Sequence, residues 1–443
     1  MTIDLLWSNS QVWALVICLV AFYWLAWRDR FKALLILTVL LPSYIIRTAI
    51  LNIPVTFLEL MIVGLFLIWI IRERQYPWLL LRHGLSRVNP LPLTYRLAIT
   101  VILLAATVSV FVSPDHIASW GLWKAYFLEP LMLFLIVMHT VRLPAQVYDL
   151  IDILGLIALL LFPLALYQQL TGQMIPVEFW ADPTTRRITT IFGYPNANSL
   201  LLAPIVALYG GYLLKRESIG KTIYKILVIA SGLAIIFWAR TDGALLALVI
   251  TAIYLIATKI RYKKIFLSLI IMLAIASGYW LWQQPSTQTQ WHRISTNQLA
   301  LDSSSVEIRI NQWRETWQLL QTQPFLGSGL VGYQTNLEPW HKNPFLEIFL
   351  YPHNIFFNFW VELGLVGLFG FLWLGWLITQ SLGTKKADPW LSVMLGASWL
   401  TLLIHGLVDV PYFKNDLSVL FWLLVALTLI TANSQESAPS TDN

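Results

Sequence analysis

The sequence predicts an all-α polytopic integral membrane protein with about 12–13 transmembrane helices, and three observations carry that prediction. Charged residues make up 12% of the 443 positions and hydrophobic residues 58%, whereas soluble domains carry about 25% charged residues. Apolar runs of roughly 20 residues, enough for a helix to cross hydrocarbon, recur along nearly the whole chain. Those runs do not alternate, as "LVICLVAFYWLAW" illustrates. Lipid admits only helices or closed barrels, because every backbone group must be paired internally, and a barrel strand would show a period of two.

Candidate spans lie at residues 11–27, 33–50, 54–71, 97–113, 119–141, 149–169, 194–214, 223–239, 242–258, 264–282, 355–380, 389–408 and 415–431. The run at 119–141 is the weakest, since Lys124 and Glu129 fall inside it. No segment repeats at a fixed period. The chain divides into amino-terminal spans (1–189), a second transmembrane region (190–431) with a long loop at 283–354, and a polar, disordered cytoplasmic tail (432–443).

Orientation follows from Lys and Arg, which favour cytoplasmic loops. Alternate loops beginning with "RDRFK" carry 19 of the 29 Lys and Arg residues. That side is expected to be cytoplasmic, with the amino terminus outside. No signal peptide is expected: Asp4 precedes the first span and no small-residue cleavage site follows it. The net charge of +6 reflects this loop bias and is no nucleic-acid signature. A lone Cys18 excludes a disulfide framework or a cysteine metal site.

This topology places the 283–354 loop, "TGQMIPVEFWADPTTRRITTIFGYPN" and the tight "WARTDG" on the external face. Within the long loop, Val306, Ile310, Trp313, Trp317 and Leu320 recur at helical spacing. Ser304 or Ser305 caps this amphipathic helix, and Pro324 with Gly327 ends it. Such a helix lies on the membrane surface or packs on the bundle mouth.

Candidate functional residues stand where polar groups meet the membrane edge. Arg240 lies in an external loop that the positive-inside bias would leave without arginine; it either snorkels to the interface or offers a guanidinium fork to an anion. Arg309, on one flank of the loop helix, is either a solvated charge or a second such fork. Arg314 is on the other flank. His353, followed by Asn354, opens a span; it is either an interfacial histidine bonded to a carbonyl or a proton acceptor near neutral pH. His405, four residues before Asp409, would share a helical face with it, with a structural hydrogen bond as the plainer role. No HExxH pattern occurs, and His292, His341 and His353 lack ligand spacing, so no metal is expected. Neither a GxxxxGK[ST] loop nor a GxSxG elbow is present, which argues against direct ATP hydrolysis and against a serine-hydrolase site.

In order, "FGYPNANSLLL", "ARTDGALLAL", "RINQWRETWQLLQTQPFLGSGLVGYQ", "YPHNIFFNFWVELGLVGLFGFLWL" and "HGLVDVPYFKNDLSVLFWLL" resemble the O-antigen ligase/polymerase superfamily over roughly residues 190–430. The resemblance implies a bacterial inner-membrane glycosyltransferase of the GT-C type, independent of metal, cofactor and ATP, with its active site on the external face. It would move a glycan from a polyprenyl-diphosphate carrier to an acceptor hydroxyl with inversion, serving lipopolysaccharide or other cell-envelope polysaccharide synthesis. By the same resemblance His353 is the general base and Arg240 and Arg309 hold the diphosphate. Asn354, Asn196, His405 and Asp409 line or support the cavity. "ARTDG" departs from the usual S-R-G by placing Asp242 beside Arg240. Lipid, glycan and protein hydroxyls all remain open as acceptor, so ligase, polymerase and protein O-oligosaccharyltransferase stand together. A bicarbonate-type permease is the alternative of another class, though transporters favour charges at the midplane.

Overall fold

The computed structural model describes residues 9–50, 53–72, 91–259, 272, 283–296, 304–343, 346–384 and 387–433. Its helices are α1 (Asn9–Arg28), α2 (Arg30–Val39), α3 (Phe57–Arg72), α4 (Leu93–Val112), α5 (His116–Thr140), α6 (Pro144–Thr171), α7 (Pro195–Leu213), α8 (Ile219–Trp238), α9 (Asp242–Ala257), α10 (Pro285–Thr296), α11 (Ser305–Thr322), α12 (Ile355–Leu382), α13 (Pro389–Gly406) and α14 (Asn415–Asn433). Seven of these are long and apolar enough to cross a membrane: α4, α5, α6, α8, α12, α13 and α14. The protein is an all-α polytopic membrane protein. The predicted span at 264–282 and most of the tail lie outside the described residues.

Helices that are apolar all round belong inside a bundle, and two such helices form the core here. Every residue of α14 from Asp416 to Thr431 is buried, and α7 is buried along nearly its whole length. α7 packs against α13, α8 and α9, while α14 is flanked by α5 and α12. Gly211 permits a close approach of α7 to α13, since a Cβ there would stand 2.8 Å from the Met394 Cα.

One predicted span is corrected. Residues 33–50 do not form a single helix: α2 ends at Val39, a 3-10 turn covers Leu41–Ile45, and Arg47–Ile50 pairs antiparallel with Ile53–Thr56. Pro42 supplies the physical reason, since it cannot donate to a continuing helix and restricts the residue before it. Ten helical residues reach about 15 Å, half the hydrocarbon thickness. The doubted run at 119–141 is helical, with a π turn at Lys124–Leu128, and Lys124 pairs with Glu59 of α3.

α11 has the predicted start. Ser304 Oγ accepts from the Glu307 N–H at 3.3 Å and Glu307 returns a bond to the Ser304 N–H at 2.6 Å, a capping box. Its orientation differs from the simple amphipathic expectation. The buried face is mainly polar, with Glu307, Asn311, Gln312, Glu315 and Thr316, whereas Val306 and Trp317 of the apolar stripe are exposed. Polar partners explain the inversion, because Gln312 bonds Tyr351 O at 2.7 Å, Glu315 meets His341 at 3.1 Å and Thr316 bonds Tyr333 at 2.8 Å.

The glycines after α11 lock it to the bundle. α12 breaks helical geometry at Gly364 (φ 70°, ψ −176°), a conformation essentially confined to glycine. The "PFLGSG" turn fills that break: Ser328 N–H donates to Val361 O at 2.7 Å and Leu365 N–H to Phe325 O at 3.1 Å. Glu362 accepts from the Val331 N–H at 3.0 Å. The two motifs are halves of one joint.

Candidate active site

Four loops that the sequence assigns to one side converge at one end of the bundle: 172–194, 239–241, the described parts of 323–354 (323–343 and 346–354) and 407–414. The first folds inward because Gln168 of α6 clamps it. Its amide accepts from the Thr189 and Thr190 N–H groups at 3.0 and 2.7 Å and donates to Met174 O and Thr190 O at 2.9 and 3.0 Å. Asn198, in the first turn of α7, accepts from Thr190 Oγ1 at 2.5 Å. This fold delivers Arg187, which sequence reasoning missed. Its Nε donates to Ala239 O at 2.9 Å and its Nη2 to Asn196 Oδ1 at 2.8 Å.

Arg240 occupies the turn between α8 and α9 with a left-handed backbone (φ 49°), which is sterically costly for a residue with a long side chain. The turn sends its guanidinium toward the same space, where Nη1 lies 3.4 Å from Thr184 O. Arg309 arrives from α11, its Nη1 3.5 Å from Ser305 Oγ, and its Nε is buried without a partner. The three arginines, with Asp242, Asn196, His405 and Asp409, line a cavity of about 80 Å³. Arg314 is not among its walls. Burial lowers the Arg187 pKa from its ordinary value; Asp242 opposes this, while the charges of Arg240 and Arg309 add to the fall. Three guanidiniums crowded in this way repel one another, and an anion between them would relieve that repulsion.

His353 stands beside this cavity. α11 fixes its backbone: Gln312 Nε2 donates to Tyr351 O at 2.7 Å and Trp313 Nε1 to Pro352 O at 2.8 Å. His353 itself is left-handed (φ 47°), the second strained residue at the site. Asn354 is structural: its Oδ1 caps α12 by accepting from Phe356 and Phe357 N–H, and its Nδ2 donates to Leu407 O at 2.9 Å. The His353 Nδ1 faces Asp409 Oδ1 at 3.4 Å.

Asp409 is the hub. Its Oδ1 also accepts from the Val410 N–H at 2.9 Å, and its Oδ2 accepts from Asn196 Nδ2 at 3.0 Å. Burial would raise its pKa, but the hydrogen bond and charge of His353, the charge of His405 and the Val410 N–H together hold it at about 2. A chain of contacts therefore runs Arg187–Asn196–Asp409–His353. Asn196 and Asp409 also belong to a second, larger cavity of about 370 Å³ that is lined by His353.

His405 departs from expectation in two respects. α13 ends at Gly406, so the pair with Asp409 does not rest on a shared helical face. Its ring nitrogens are buried, and neither has a hydrogen-bond partner, so the expected structural bond is absent; it lines the arginine cavity instead.

Residues 226–372 match the family model described as O-antigen ligase. That segment includes Arg240, Arg309, His353 and Asn354, while Arg187, Asn196, His405 and Asp409 lie outside it. Comparison with curated proteins gives no match. The matched segment supports an O-antigen ligase/polymerase type of function and a similarity to the O-antigen ligase/polymerase superfamily over that third of the chain.

Proposed function

We propose that this protein is a membrane glycosyltransferase that moves a glycan from a polyprenyl diphosphate to an acceptor hydroxyl, at the external face of the inner membrane. The observation that carries the reading is the junction of two unlike cavities at Asp409, one lined by three arginines and the other containing His353. Arg187, Arg240 and Arg309 would hold the diphosphate. Guanidinium forks match phosphate oxygens, and their charge stabilises the leaving group as the glycosidic C–O bond breaks.

Asp409 accepts from the Nδ1–H tautomer of His353, which leaves Nε2 able to take a proton. The acceptor hydroxyl forms its bond to the anomeric carbon, gives its proton to His353, and displaces the diphosphate from the opposite face with inversion. A diphosphate is already a good leaving group, so charge stabilisation and alignment are the larger needs.

The test is transfer by the purified full-length protein in nanodiscs. A polyprenyl-diphosphate glycan and candidate acceptors are supplied, with a chelator and no ATP. Glycan appearing on an acceptor with inverted linkage supports the reading, and a requirement for added metal or ATP contradicts it.

A further inference from the structure

The larger cavity differs in kind from the arginine cavity it adjoins. Tyr194, Phe349, Tyr351 and Phe413 contribute aromatic residues to its wall, and Gln334 and Glu347 line it as well. The Phe349 ring meets His353 edge to face, with centroids 5.2 Å apart. Aromatic walls with a few placed polar groups suit a ligand that has both an apolar face and hydroxyls. A pyranose ring is such a ligand, since its C–H face packs on aromatic rings and its hydroxyls reach side-chain amides and carboxylates.

Charge narrows the class further. Lys414 is the one lysine or arginine among the residues lining this cavity, and it is already engaged. Its Nζ lies 3.3 Å from Asp416 Oδ2 and over the rings of Phe192 and Tyr44 at 4.5 and 4.8 Å. Asp409 and Glu347 are the carboxylates on the walls. Among the described residues, an anionic ligand entering here would meet two carboxylates and no free fixed cation, and like charges brought together at a binding surface are strongly disfavoured. On the other side of Asp409 the balance is reversed, with three guanidiniums against Asp242 and Asp409.

We infer that the larger cavity is an acceptor subsite for an uncharged sugar ring, and that Glu347 excludes acceptors bearing an anionic group beside the accepting hydroxyl. The inference rests on the transferase reading above. The same partition of charge sorts the two substrates, keeping the donor diphosphate on the arginine side.

The experiment compares a neutral disaccharide glycoside with its monophosphate ester. Binding is followed by saturation-transfer NMR on the full-length protein in nanodiscs, and the same pair is used as acceptors in the transfer assay. Both are presented in parallel on a lipid-core oligosaccharide and at the free end of a second polyprenyl-linked glycan, which separates ligation from polymerisation. The neutral sugar should be preferred by about tenfold or more. Glu347→Gln should reduce that preference and Glu347→Lys should abolish it, through the acceptor KM and with the donor KM unchanged. Equal use of the two sugars by the unaltered protein, an unchanged preference in Glu347→Lys, or tighter binding of a serine/threonine peptide would overturn the subsite. Transfer without preference removes the subsite and leaves the transferase standing. Preferential sugar binding without any transfer removes the transferase and leaves the sugar site.

Discussion

Asp409→Asn is the most informative single change at the proposed site, because the structure states what its two oxygens do. One accepts from His353 and Val410, and the other from Asn196. An asparagine keeps the volume but has one carbonyl oxygen, so its NH2 must face a donor on one side or the other. Losing a hydrogen bond to a charged group costs about 1.5–3 kcal/mol, which corresponds to roughly 10- to 150-fold in turnover. The depressed pKa gives a consistent figure. A fall from an ordinary value of 3.8 to about 2 is worth about 2 kcal/mol of stability. That stabilisation is present above the unfolded carboxylate value and is lost as pH drops through about 2. The assay measures turnover and donor binding together across pH. Turnover should fall within the stated range, donor binding should persist, and thermal stability in nanodiscs should drop modestly. Because Asp409 stays ionised until about pH 2, an acid limb near the histidine range cannot be its own. Turnover within twofold of normal, or loss of donor binding as the main effect, would refute the orienting role.

Arg187→Ala, Arg240→Ala and Arg309→Ala should each lower transfer by roughly 100-fold with the protein still inserted, whereas Arg314→Ala should have little effect; an equal loss at Arg314, measured in the same transfer assay, would show that the cavity does not bind the donor. Lysine should rescue these positions only in part, since it keeps charge and loses the fork. Gly364→Ala should destabilise the fold by about 3 kcal/mol or more, because its Cβ would stand 2.1 Å from Phe325 O; an unchanged unfolding temperature would contradict the proposed joint. Tags in the 283–350 loop should be labelled from outside and tags near Lys263 only from the cytoplasm, and labelling of both from one side would remove the external active site.

Much of this arrangement is legible in the chain. The uninterrupted apolar runs lead to helices because lipid permits little else, and Ser304 with Glu307 announces the start of α11. The strained His353 sits where a polar residue opens a span. What escapes sequence reading depends on contacts made across the fold. Arg187 belongs to a loop that the clamp of Gln168 turns inward, and no local pattern marks it. A signal was nonetheless available, since "TTRRITT" places two arginines in a loop assigned to the outside. The stripe on α11 is a true helical period, yet Gln312, Glu315 and Thr316 find tertiary partners and take the buried face. The run at 33–50 reads as a span from apolarity, and the breaking effect of Pro42 is underweighted.

The claim at the centre is that His353 accepts the proton of the acceptor hydroxyl while the arginines hold the donor. Measuring turnover and donor binding of His353→Gln across pH tests it most directly, since glutamine keeps hydrogen bonding and cannot take a full proton. Turnover should drop by about 100- to 10,000-fold with donor binding preserved. Any pH dependence that His353 imposes on the unaltered protein should be missing from the residual rate of His353→Gln. Near-normal turnover in His353→Gln, with turnover abolished in His405→Gln, would contradict the account and move the proton acceptor into the arginine cavity.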